Sequence, residues 1–174
     1  MKNSKLVLFS FLFSFVILGV FSGYKFFIGN NEKNINWFFN LSLPNNLDEI
    51  KKIEDLRGEN FTILNFWATW CVPCIEEMPM LSEFHKAQKS KGISVIALAI
   101  DSKKSVTSFL KKGSFNQNIL IAGTQGTDLI KDLGNKKNAL PFTLLIDKES
   151  KILKTKLGKI SEDELLYWID SEKN

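Results

Sequence analysis

The chain has 174 residues, 44% hydrophobic and 24% charged, with a formal net charge of +4. That is long enough for one domain with a sizeable core and too apolar for a disordered chain. With Lys2, Lys5 and Lys25 set aside, 20 basic residues face 19 acids, and so balanced a domain carries no electrostatic footprint for nucleic acid.

Leu6 to Gly23 reads LVLFSFLFSFVILGVFSG and holds no charge. Eighteen helical residues rise about 27 Å, close to the hydrocarbon thickness of a bilayer. Lys2 and Lys5 precede the run and favour its N-terminus inside. The expectation is an N-terminal transmembrane helix or signal anchor over residues 1–29, a polar linker over 30–36 and a domain over 37–174. The domain would then face the periplasm, or the outer surface of a cell with one membrane. The alternative is a cleaved signal peptide, for which Val20-Phe21-Ser22 offers tolerable cleavage positions without an Ala-x-Ala. No cysteine lies near the end of the run, so a lipoprotein anchor is excluded. Both readings export the domain.

Beyond the linker, Trp37 to Leu41 predicts a short edge strand. Pro44-Asn45-Asn46 is turn chemistry, and Leu47 to Arg57 predicts a helical turn. Asn60 to Trp67 is an almost unbroken apolar run, as in a strand buried on both faces. A helix follows from the cysteines to about Ser90, with Pro79 expected to kink it and Gly92 to stop it. Ile93 to Ile100 is a second buried strand. Ser102 to Lys112 predicts an amphipathic helix with Val106, Phe109 and Leu110 inward. Ile119 to Ala122 is a short strand, and Thr127 to Leu133 a helix closed by Gly134. Phe142 to Asp147 and Ile152 to Leu157 form a hairpin through Lys148-Glu149-Ser150. Ser161-x-x-Glu164 is a capping box opening a helix through Ile169. The order predicts an α/β fold, a mixed sheet flanked by helices.

Cys71 and Cys74 are the only cysteines. Two thiols three positions apart, between an apolar strand and a helix, can interconvert between dithiol and disulfide. The attacking species is the thiolate, and a helix N-terminus favours an anion. Cys71 is therefore expected to be the exposed nucleophile and Cys74 the buried resolving thiol. Pro73 in the first turn removes no needed hydrogen bond. A structural zinc site normally takes four ligands, and this chain offers two cysteines and one histidine. A purely structural disulfide would close too short a loop to restrain the unfolded chain much. Binding of Cu(I) between two thiolates remains chemically open. His85, among Glu83, Lys86 and Lys89, reads as a surface residue, Trp67 as core, and Trp70 as a shield over the disulfide.

Trp67-Ala68-Thr69-Trp70-Cys71-Val72-Pro73-Cys74, followed by Glu77-Met78-Pro79, resembles the TlpA/ResA-like branch of the thioredoxin-like family, whose members are membrane-anchored, extracytoplasmic thiol–disulfide oxidoreductases. The resemblance covers about Trp37 to Ile169. It implies a thioredoxin-like fold with a strand–helix insertion, placed here at Ser102 to Ala122. It also implies a cis Leu140–Pro141 bond beside the cysteines, where the backbone of Leu140 pairs with an extended substrate segment. Trp70, Val72 and Pro73 would complete the docking surface. Cytoplasmic thioredoxins carry a buried acid where this chain has Asn65. Asn takes no proton, so proton transfer to Cys74 falls to Glu77, one helical turn on and at a position where the family has an acid.

The resemblance thus implies an enzyme, most simply a reductant of protein disulfides, with cytochrome c apoproteins or the copper-site thiols of an oxidase as clients. It would act as a monomer, without a metal or cofactor beyond the Cys71–Cys74 pair, and be recycled by a membrane electron donor. Two alternatives stand beside it: a disulfide-forming oxidant of the same fold, and a copper-handling or docking module without turnover.

Overall fold

The computed structural model describes residues 34–173. The expected anchor, and the linker up to residue 33, lie outside the described residues. Among the described residues no helix is long and apolar enough to cross a membrane. The described end of the expected linker is packed on the domain: Asn34 bridges to Lys151 and Ile35 is fully buried.

The segment expected as an edge strand is a helical turn, α1 (Asn36–Phe39). A strand would send Phe38 and Phe39 to opposite faces. The turn lets both enter one core cluster with Ile35 and Ile53. The guanidinium of Arg57 then lies 4.1 Å from the centre of the Phe39 ring. The stretch expected as a helical turn opens instead as a strand. β1 (Ser42–Pro44) and β2 (Ile50–Lys52) form an antiparallel hairpin, and only Ile53–Leu56 turns, as a 3-10 helix.

The main sheet has the order β5-β4-β3-β6-β7. β3 (Phe61–Trp67), β4 (Ile93–Ala99) and β5 (Asn118–Ile121) run parallel. β6 (Phe142–Asp147) and β7 (Ile152–Leu157) are antiparallel to their neighbours. The central strands read as continuous apolar runs because both faces are covered. Period-two alternation divides each run between the faces. Ile63, Val95 and Leu145 meet Leu81 and Phe84 of α2 (Val72–Gln88) and Leu165 and Trp168 of α5 (Glu162–Ser171). Leu64, Ile96 and Leu144 meet α1 and Ile130 of α4 (Gly126–Asp132). Each such side chain contributes roughly 1.5–3 kcal/mol by leaving water. The expected α/β architecture therefore holds, as a mixed sheet between two helical layers.

Pro79 lies inside α2 without ending it. A 3-10 turn over Lys89–Lys91 continues from α2 and stops at Gly92, whose φ of 71° is left-handed; a side chain there would also run into Asn60. α3 (Lys103–Leu110) starts where Ser102 Oγ accepts the N–H of Ser105. At α5 the capping box is half closed. Ser161 Oγ accepts the N–H of Glu164, while the Glu164 carboxylate turns to Lys156.

His85 is a correction. It is buried, not on the surface. Its Nδ1 accepts the N–H of Val95 at 2.9 Å. β5 begins pairing with β4 only at Ile96, so His85 ties α2 to β4 just before that edge is covered.

Candidate active site

β3 delivers the chain to the site. The carbonyl of Trp67 still accepts from Ile100 at 2.8 Å. The next residues leave the sheet and are held by Asp101 at the end of β4. Its Oδ2 accepts from Thr69 N at 3.0 Å and Thr69 Oγ1 at 2.5 Å, and its Oδ1 from Ser102 N at 2.6 Å. Burial pushes the Asp101 carboxyl up, but these donors outweigh it and hold it below its ordinary value. Cys71 N then closes a turn onto Ala68 O at 3.2 Å.

Cys71 is the N-cap of α2, and its carbonyl accepts the N–H of Ile75. Pro73 sits in the first turn, where N–H groups have no helical partner. Cys71 and Cys74 are joined as a disulfide. Cys74 is fully buried and Cys71 only 5% exposed, so the expectation of an exposed Cys71 needs correcting. In this oxidised form its sulfur is turned onto Cys74, within an apolar cluster of Trp67, Ala68, Met78 and Ala97 that Leu140 also packs against. Trp70 and Val72 are 68% and 65% exposed. Trp70, expected as a shield over the disulfide, is itself largely exposed to solvent. Pro73 is exposed as well.

The Leu140–Pro141 peptide bond is cis. Leu140 is half-buried and Pro141 buried. The carbonyl of Pro141 accepts from Gly158 N at 2.8 Å. Gly158 has a φ of 98°, a region that favours glycine.

Glu77 is 1% exposed. Its Oε1 accepts from Asn65 Nδ2 at 2.8 Å and its Oε2 from Ile160 N at 2.9 Å. Burial pushes its carboxyl up. The bonds from Ile160 and Asn65, and the charges of Lys159 and Lys156, oppose that without cancelling it. A surface cleft of about 570 Å³, lined by Glu76, Met80, Lys156, Lys159 and Glu164, reaches Glu77. Among the described residues no three His, Cys, Asp or Glu side chains gather as a metal centre.

The sequence profile of the Redoxin family matches residues 39–167. The chain belongs to that family. It is 37% identical over 120 residues to the thiol-disulfide oxidoreductase ResA of a Bacillus cereus strain, a match covering 67% of this chain and 66%, just under two thirds, of that protein. A crystal structure of a putative thiol:disulfide interchange protein DsbE from Chlorobium tepidum superposes with a TM-score of 0.64 at 25% identity, covering 75% of this chain and 91% of that one. A thioredoxin-related protein from Neisseria meningitidis serogroup B gives 0.63 at 29% identity, covering 71% and 92%. The fold is accordingly thioredoxin-like, and the resemblance to the TlpA/ResA-like branch is borne out.

In this Redoxin-family domain the fold gathers three sequence-distant pieces. Cys71, Cys74 and Glu77 share one face of the start of α2; Leu140 and Pro141 come from the turn before β6; Asn65 comes from β3. Three contributors escaped sequence reading: the Thr69–Asp101 clamp, Thr143, and the Gly158–Ile160 segment that joins Pro141 to Glu77. Gly158 after a strand was the one local hint. The others are long-range hydrogen bonds that no spacing encodes.

Proposed function

We propose that this protein is a thiol–disulfide oxidoreductase that reduces disulfides of client proteins through Cys71 and Cys74. The reading rests on one observation: the Cys71–Cys74 disulfide caps α2, with the Leu140–Pro141 turn on one side and the buried Glu77 carboxyl one helical turn behind it.

In the reduced enzyme the Cys71 thiolate attacks one sulfur of a client disulfide. A mixed disulfide forms and the first client thiolate leaves. Glu77 takes the proton of Cys74, whose thiolate attacks the Cys71 sulfur. The second client thiolate leaves and Cys71–Cys74 is oxidised, so two electrons pass to the client. The α2 N-terminus stabilises the Cys71 thiolate, while the apolar wall of Trp67, Ala68 and Met78 opposes it. Direction follows from how strongly the reduced form is stabilised, since strong oxidants stabilise theirs heavily.

The client's extended segment pairs along the backbone of Leu140, with Trp70, Val72 and Pro73 as the surrounding surface. The apolar Leu6–Gly23 run and its flanking lysines support attachment to the cytoplasmic membrane, with the domain on the extracytoplasmic side and a membrane donor returning electrons. Clients of the kind the resemblance implies are cytochrome c apoproteins or copper-site thiols. Cys74→Ala tests the assignment: it should hold a client as a mixed disulfide on Cys71, identifiable by mass spectrometry. A reduced protein that binds Cu(I) but reduces no disulfide would favour the copper-handling alternative.

A further inference from the structure

The carboxamide of Asn65 lies between Glu77 and Thr143, which faces it across the β3–β6 ladder. Its Nδ2 donates to Glu77 Oε1 at 2.8 Å and to Thr143 Oγ1 at 3.0 Å. Its Oδ1 is buried and has no hydrogen-bond partner. All three side chains are within 1% of complete burial. Buried polar atoms are ordinarily paired, so an unpaired carbonyl head beside a buried acid calls for an account.

A carboxylate only accepts hydrogen bonds. While Glu77 is ionised, the amino head of Asn65 must face it. Glu77 Oε2 is taken by the backbone N–H of Ile160, a donor that cannot become an acceptor. A proton arriving on Glu77 therefore belongs on Oε1, and it meets a donor where it needs an acceptor. Turning the carboxamide by half a rotation about Cβ–Cγ brings Oδ1 to that place. Thr143 can follow, because a hydroxyl both donates and accepts. In either orientation one head of Asn65 faces the same unpartnered position, so that penalty does not favour one orientation over the other.

We propose that Asn65 is a positioning residue whose carboxamide reverses with the protonation of Glu77, amino head toward the ionised acid and carbonyl head toward the neutral one. In the step a proton adds to Oε1. The bonds from Nδ2 to Oε1 and Oγ1 are replaced by Oε1–H···Oδ1 and Oγ1–H···Oδ1, and no covalent bond of the protein breaks. Asn65 thereby replaces a second acid: it exchanges no proton itself, yet offers each form of Glu77 a partner. The functional weight of this step rests on Glu77 being the proton carrier of the proposed reaction.

Other charged groups do not substitute for it. Glu76 of α2 is bound to Lys159 of the β7–α5 loop, and Glu164 of α5 to Lys156 of β7. Glu162 lines the cleft from α5. Cys74 and Cys71 lie on α2 itself. These groups bias how readily Glu77 ionises; of its two direct hydrogen-bond partners, only Asn65 can change from donor to acceptor.

The test is NMR on the full chain, reading cross-relaxation between the Asn65 side-chain NH₂ protons and the Thr143 methyl. With Glu77 ionised, the amino head lies against Thr143 and the cross-peaks should be present; they should be lost on acidification, with the midpoint of the Glu77 carboxyl carbon. Glu77→Gln gives a pH-independent version. Ile160 N–H holds the Gln carbonyl, so its amino head faces Asn65 and locks the reversed state, and the cross-peaks should be absent at every pH. Their persistence in Glu77→Gln, or throughout the wild-type titration of Glu77, would overturn the proposal. An unchanged activity–pH profile in Glu77→Gln, with the cross-peaks behaving as stated, would instead sink the proton-carrier reading and leave the reversal standing.

Discussion

The backbone N–H of Ile160 donates to Oε2 of Glu77 at 2.9 Å, across 83 positions of sequence. Two residues before Ile160, the N–H of Gly158 holds the carbonyl of Pro141 at 2.8 Å. One short segment after β7 therefore fixes both the acid behind the cysteines and the turn beside them. In the proposed reaction, this common support keeps the docking turn and the proton carrier in one geometry while a client binds.

Glu77→Gln keeps the bond from Ile160 but removes the titrating proton. Losing a positioned general acid–base group costs on the order of a hundredfold in rate. The expectation is that much slower resolution of the mixed disulfide, with the attack by Cys71 little changed, read by rapid-mixing kinetics across pH.

The same substitution has a stability signature. The folded Glu77 carboxyl lies above its ordinary 4.5 because of burial. Its contribution is fully present below 4.5 and is lost as pH rises through the raised folded value. Glu77→Gln should therefore match wild type in acid and gain on it as pH climbs through that window. Denaturant midpoints of both proteins at a series of pH values check the sign.

His85 runs the other way. Burial first, then Lys89, depresses its pKa below 6.5, and a proton on Nδ1 would remove the acceptor for Val95. The stability it contributes is complete above 6.5 and is lost as pH falls through the lower folded value. His85→Ala should cost about 1–3 kcal/mol at neutral pH, by leaving the Val95 N–H unpaired. It should also flatten the acid limb of the unfolding curve.

Asp101→Ala releases both donors of Thr69. Hydrogen bonds to a charged acceptor contribute roughly 1.5–3 kcal/mol, and a loss of that order is expected in chemical denaturation. Because the clamp holds the turn that carries Trp70 and Cys71, client reduction should weaken through KM more than through kcat.

Much of the scaffold was legible in the sequence. β6 and β7 fall on the residues expected, and β3 and β4 shift by a single residue at one end: β3, β4 and β6 are buried along most of their length and read as near-continuous apolar runs, while the half-exposed β7 was marked by the hairpin turn before it. Ser102 and Ser161 marked their helices through a local hydrogen bond. Phe38 and Phe39 misled because two adjacent aromatics suit a strand unless both find the same core cluster, which only tertiary packing decides. His85 misled because its polar neighbours are exposed while its own ring points at Val95. The Cys71–Cys74 pair was legible as a redox centre and Cys74 is buried as expected, but the burial of Cys71 was not legible, since Leu140 arrives from 69 positions away. Asp101, Thr143 and Ile160 act through partners distant in sequence and left no local signature.

The most direct test of the central claim is the reduction potential of the Cys71–Cys74 couple, measured by equilibration against thiol buffers. A reductant should lie near thioredoxin, at about −270 mV. A value close to that of a strong oxidase, about −120 mV, would contradict the account and make the chain a disulfide-forming enzyme.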